Sequence, residues 1–183
     1  FVGYHLLTNT DPQNEHEAKL FVDVAANLEL ENSLGSEQLA DYGQALLTIG
    51  RVGDAVTKLR SASARFRDDP KIRSLLGIAL EIDGQSPEAF KLFEQLLNEG
   101  KASNTAQRYF VDIAARMGFF DRAEQQVRAA YASATGRDRK LRLLNILFKL
   151  LLAEDKRPEQ IEEVAWEYGR LADQSDEREE GIF

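Results

Sequence analysis

Three stretches decide how this chain is read: "GRVGDAVTKLRSA" at 50–62, "GQSPEAFKLFEQL" at 84–96 and "GFFDRAEQQVRAA" at 118–130. Gly50, Gly84 and Gly118 stand 34 residues apart. Ala55, Ala89 and Ala123 keep that spacing, as do Leu59, Phe93 and Val127, and then Ala62, Leu96 and Ala130. Upstream, Tyr42, Leu76 and Phe110 fall on the same grid. Columns kept in register over three copies mark an internal repeat, and a repeat of this length is a pair of helices.

Each copy reads as two helices around a tight turn. The glycine closes the first helix because it enters the left-handed conformation without steric cost. In the first copy Leu39, Tyr42, Leu46 and Ile49 form one apolar stripe at helical spacing. Val52, Ala55, Val56, Leu59 and Ala62 form the facing one. The alanines let the two backbones approach. Ser36 is the expected cap of the first copy, Asp69 with Pro70 that of the second, and Ser86 with Pro87 that of its second helix. A fourth, divergent copy follows at 138–172, with Leu141, Leu144 and Phe148 on the grid and a turn, "AEDKRPEQ", that lacks the glycine and the alanine. Residues 12–32 place Ala18, Phe21, Val22, Ala25 and Leu28 on one face, as the second helix of a partial earlier unit would. No segment requires a strand.

These residues resemble the tetratricopeptide repeat (TPR) family. The match runs through Tyr42, Gly43, Leu46, Gly50, Ala55, Leu59 and Ala62 in the first copy. The second copy supplies Leu76, Gly77, Leu80, Gly84, Ala89 and Phe93, and the third Phe110, Ala114, Gly118, Ala123, Val127 and Ala130. Departures are Leu39, Arg73 and Gln107 where the family carries a tryptophan-like residue, and Val111 where a glycine is usual. The resemblance implies an all-α, right-handed superhelix of antiparallel hairpins with a concave wall made by the first helix of each pair. The expected organisation is an N-terminal segment over 1–35, a TPR-like solenoid over 36–172 with repeats at 36–69, 70–103, 104–137 and 138–172, and an acidic tail over 173–183.

Composition bounds the function. The chain has 183 residues, 43% hydrophobic and 30% charged, a net charge of −8 and no cysteine. That is a folded chain without disulfides or thiolate chemistry, and its acidity disfavours nucleic acid. It begins at Phe1 and its single methionine is Met117, as expected of a piece of a longer protein, whose membrane anchoring and compartment stay open. "LRLLNILFKLLL" at 141–152 is too short to span a bilayer, which takes about 20 apolar residues.

Catalytic chemistry is not signalled. His5 and His16 are the only histidines. "NEGKAS" at 98–103 lacks the first glycine of a phosphate loop, and Ala102 follows Lys101. Adjacent acids such as Glu162 and Glu163, or Glu179 and Glu180, splay apart on a helix. No enzyme, metal or cofactor is expected.

A protein partner is expected instead. On the wall that the resemblance makes concave, the first copy presents Glu37, Asp41, Gln44 and Thr48, and the third Thr105, Tyr109, Asp112 and Arg116 with Arg108 alongside. The second places Lys71, Leu75, Ile78 and Ile82 there, and the fourth Arg139, Leu143, Ile146 and Leu150. Burying one such leucine or isoleucine is worth about 1.5–3 kcal/mol, so these apolar residues need a cover. Three covers compete: neighbouring helices or the tail "REEGIF"; a partner's acidic amphipathic segment; and a second copy of the chain. Arg108, Arg116, Arg139, Arg142 and Lys149 would orient an acidic partner. The reading is an interaction scaffold that recruits or assembles partner proteins. An accessory or dimerisation domain of an enzyme or membrane-complex assembly factor is the alternative, and helical-repeat RNA binding a weaker one.

Overall fold

The computed structural model describes residues 12–30, 34–154 and 158–173. "FVGYHLL" with His5, Glu179 with Glu180, and the tail "REEGIF" lie outside them. Among the described residues every regular element is a helix, and the chain divides into two compact units, Phe1–Leu96 and Leu97–Phe183.

The first unit holds α1 (Pro12–Leu30), α2 (Ser36–Thr48), α3 (Val52–Arg65), α4 (Pro70–Ile82) and most of α5 (Ser86–Asn98). The repeat glycines do what the sequence asks of them. Gly50 and Gly84 sit at φ 77° and 83°, two residues beyond the last helical residues Thr48 and Ile82, where a side chain would be strained. A second pair of glycines sets the helix spacing. A Cβ on Gly43 would collide with the end of Leu59, and one on Gly77 would lie 2.6 Å from Phe93 Cζ. Each hairpin therefore closes by seating a large side chain of its second helix on a bare backbone of its first. Leu46, Leu59, Ile72, Leu80, Phe90 and Phe93 form the fully buried centre.

Helix starts differ from expectation in two places, the first being α5, where Ser86 is the first helical residue and Gln85 precedes it. Asp69 caps α4 as expected, accepting from Lys71 N at 2.9 Å and Ile72 N at 3.1 Å ahead of Pro70. Ser36 does not cap α2: it is the first helical residue, and Gly35 occupies the cap with no side-chain bond. α1 buries Ala18, Val22 and Ala25 but leaves Phe21 38% exposed, so the stripe expected there is narrower by one ring. The side chain of Leu28 lies outside the described ones.

The second unit holds α6 (Asn104–Met117), α7 (Phe120–Ser133), α8 (Arg137–Ala153) and α9 (Pro158–Asp173). Ser103 caps α6, accepting from Ala106 N at 3.2 Å. Gly118 closes it in the left-handed conformation at φ 70°. α8 packs against α6, α7 and α9. That corrects the expectation of an outward apolar face. Leu143, Ile146 and Leu150 are 2–3% exposed, better covered than Leu141 and Phe148, which were expected to face the core and are half-buried. A helix with three neighbours has no wet side except a narrow one. Here that side is the strip carrying Arg142, Asn145, Lys149 and Leu152.

Candidate partner-binding face

In the second unit, α6 and α8 lie against each other. Spacings of four residues along one helix, and of seven along the other, bring charged side chains onto their exposed sides. α6 presents Arg108, Asp112 and Arg116, and α8 presents Arg142 and Lys149. Arg108 lies over the ring of Tyr109, 5.8 Å from its centroid, and Tyr109 itself is buried. The expected apolar contacts are thus withdrawn here: Tyr109, Leu143 and Ile146 are in the interior, while Arg108, Asp112, Arg116, Arg142 and Lys149 are on the surface.

Arg139 has a different position from its basic neighbours. It is half-buried, its Nη2 donates to the carbonyl of Asn98 at 3.1 Å, and its buried Nε has no partner. Gly100, at φ 70°, leaves room for it: a Cβ there would lie 2.9 Å from Arg139 Cζ. Arg139 also borders a void of about 20 Å³ with Gln107, Arg142 and Ile146. That is enough for one water, which the unpartnered Nε would bind. Arg139 thereby fixes the turn between α5 and α6, leaving less of its guanidinium for a partner.

In the first unit, Leu75 is buried, and Ile78 and Ile82 are half-buried on α4. They do not present the open apolar wall that the sequence suggested. Lys71 bonds to Asp41 at 2.7 Å, joining α4 to α2, and this hydrogen bond holds the lysine pKa above its ordinary value against the opposing effect of desolvation.

Two features at the α8/α9 hairpin were not anticipated. Glu167 receives the Tyr131 hydroxyl at 2.7 Å and both Arg170 Nη2 and Nε, at 2.7 and 2.8 Å. The Arg170 and Tyr131 hydrogen bonds pull its pKa down to about 2, while desolvation, with the bond to Glu167, pushes the Tyr131 phenol up to about 12. At the hairpin's end, Arg137 donates to the carbonyls of Leu171 and Ala172, each at 2.6 Å, satisfying acceptors that the end of a helix leaves open. Beside these lies a groove of about 250 Å³ lined by Leu144, Asn145, Phe148, Val164, Ala165 and Tyr168. Its sequence signal is Ala165. It is the eighth residue of its helix, where Leu59, Phe93 and Val127 stand in the other second helices.

Hairpins laid one after another on this grid have clear counterparts among solved structures. Nearly identical TPR-like repeats from a kinesin light chain candidate of Podosopora anserina superpose with a TM-score of 0.62 at 15% identity, over 96% of this chain and 93% of that one. The fold is TPR-like. A second structure of the same repeats matches equally, at 0.62 and 15% over 95% and 93%. The structure described as MamA MSR-1 C2 matches at 0.50 and 17%, over 91% and 94%. No protein-family model and no curated protein matches the chain. Among the described residues, no group of three His, Asp or Glu side chains could hold a metal ion, and no helix is long and apolar enough to cross a membrane.

Proposed function

We propose that this chain is a scaffold for protein assembly whose second unit captures an acidic segment of a partner along α6 and α8. The observation that carries the reading is the charge of that exposed strip. Arg108, Arg116, Arg142 and Lys149 are exposed there, against Asp112 on α6 and Asp138 on α8, in a chain whose net charge is −8. No described acid pairs with Arg142 or Lys149. A local basic surface selects for an acidic partner segment. Since Leu143 and Ile146 are interior, recognition is by charge and hydrogen bonding along the strip, with the buried leucines holding α8 rigid beneath it.

The test is fluorescence anisotropy with a labelled glutamate- and leucine-rich helical peptide. Binding is expected to weaken about tenfold or more when Arg142→Ala and Lys149→Ala are combined, and to weaken further as salt is raised. A lysine-rich peptide of the same length is expected not to bind. Equal binding of both peptides, or indifference to the double substitution, would sink the proposal. Tight binding of single-stranded RNA at physiological salt would replace it with the nucleic-acid reading.

A further inference from the structure

The groove between α8 and α9 is a vacated packing position. In the first unit, the eighth residue of each second helix, Leu59 or Phe93, fills the space over Gly43 or Gly77 and is fully buried. In the α8/α9 hairpin the sizes are reversed: Asn145 stands on the glycine's grid position and Ala165 replaces the large residue. A polar amide cannot fill what a leucine or phenyl ring would, and the result is the opening of about 250 Å³ between Phe148 and Tyr168.

The two edges of this groove carry opposite charge. Residues three and four apart on a helix are neighbours on its surface. On the α8 edge, Asn145 has Arg142 three residues before it and Lys149 four after it, both exposed. On the α9 edge, Ala165 has Glu162 three residues before it, also exposed. No described base pairs with Glu162, and no described acid pairs with Arg142 or Lys149. Basic, apolar and acidic bands therefore run side by side along one hairpin. The bond from Arg137 to the carbonyl of Leu171 fixes their register. Nine residues inward from that pair, Glu162 on α9 stands level with Ile146 on α8, four residues past Arg142 and three before Lys149. Asp138 lies eight residues from that height, about 12 Å at 1.5 Å per residue, outside this stretch.

A face with this order of bands is complementary to itself. A two-fold axis running over the groove, parallel to the helices, turns one copy face-down on another, lays apolar band on apolar band and exchanges the edges at unchanged height. Each Glu162 then arrives between Arg142 and Lys149 of the other copy, and the contact is made twice.

On the reading that Arg142 and Lys149 receive acids, we propose that the acidic partner is a second copy of this chain. Two α8/α9 hairpins meet face to face, with Phe148 and Tyr168 of both copies at the centre and Glu162 of each between Arg142 and Lys149 of the other. A hairpin face about 25 Å long and about 20 Å wide covers about 500 Å² per copy, or about 1,000 Å² in all, the lower bound of a specific interface. Such a dimer is reversible, forming at micromolar concentrations or above.

Sedimentation velocity on the full chain, from micromolar to millimolar concentration, tests it. The expected result is a shift from monomer to dimer with no larger species. Lys149→Glu alone and Glu162→Lys alone are each expected to weaken dimerisation about tenfold or more. An equal mixture of the two variants is expected to dimerise as the unaltered chain does, because both contacts become opposite-charge pairs in the mixed dimer. Monomer at every concentration, masses beyond a dimer, or no rescue in the mixture overturns the proposal. The glutamate-rich peptide separates this failure from failure of the basic strip. Glu162→Lys keeps Arg142 and Lys149, so that variant is expected to bind the peptide while remaining monomeric. A monomeric chain that binds the peptide overturns only the choice of a second copy, and a chain that does neither overturns both readings.

Discussion

The α4/α5 hairpin and the α8/α9 hairpin follow the same plan with opposite assignments of bulk. In the first, Gly77 gives up its side chain so that Phe93 can descend to the backbone of the facing helix. In the second, Asn145 keeps a side chain and Ala165 gives up most of one. The total volume is not conserved by the exchange, because an amide is hydrated where a phenyl ring would be packed. One hairpin is closed by its own residues, and the other retains a groove. A repeat can thus keep its helices, turns and spacing while changing from self-sufficient to receptive through two positions.

The largest effect should come from removing the ring that closes the first hairpin. Phe93→Ala is expected to cost about 3–5 kcal/mol in urea unfolding. Ala165→Leu, which adds a large residue at the matching position, should raise the melting temperature instead. Destabilisation by both would show that the two positions are not equivalent. Next in size is the partner position. Gly77→Ala must push against Phe93 and should cost about 1–3 kcal/mol, less any gain from helix propensity, by denaturant titration followed by circular dichroism. Asn145→Ala should be neutral or mildly stabilising.

Smaller differences sharpen the same contrast at the helix starts. Asp69→Ala should cost about 1 kcal/mol, because two backbone N–H groups lose their acceptor, while Ser36→Ala should stay within a few tenths. The smallest signal is in the pH response of the α8/α9 hairpin. Glu167 titrates lower in the folded chain than its ordinary 4.5, at about 2, so its contribution is complete above pH 4.5 and is lost as pH falls toward 2. Tyr131 titrates higher than its ordinary 10.0, at about 12, so its contribution is complete below pH 10 and is lost as pH rises toward 12. Trp166 emission followed against pH should move in both windows. Glu167→Gln should remove the acid-side change, and its persistence in that variant would assign it to another carboxylate.

The hairpins were legible in the sequence because they rest on local rules. A glycine after a helix, large and small residues at fixed distances, and a proline after Asp69 each specify a neighbour a few residues away. The fate of Leu143, Ile146 and Leu150 was not legible in the same manner. Helical spacing tells which residues share a face but not how many helices surround it, and α8 has three. Arg139 escaped for a similar reason: its role in the turn at Gly100 depends on elements 39 positions apart (139 − 100). Ala165 was hidden by the longer connection before α9. Counting 34 from Val127 arrives at Ile161, four residues early, so the missing bulk shows only when positions are counted from the start of each helix.

Arg137 gives the α8/α9 hairpin a property that its composition alone would not suggest. By holding the carbonyls of Leu171 and Ala172, it closes a chain loop of more than thirty residues, the task for which many small domains use a disulfide. A guanidinium clasp is indifferent to oxidant and reductant, so this end of the hairpin will behave alike in reducing and oxidising surroundings.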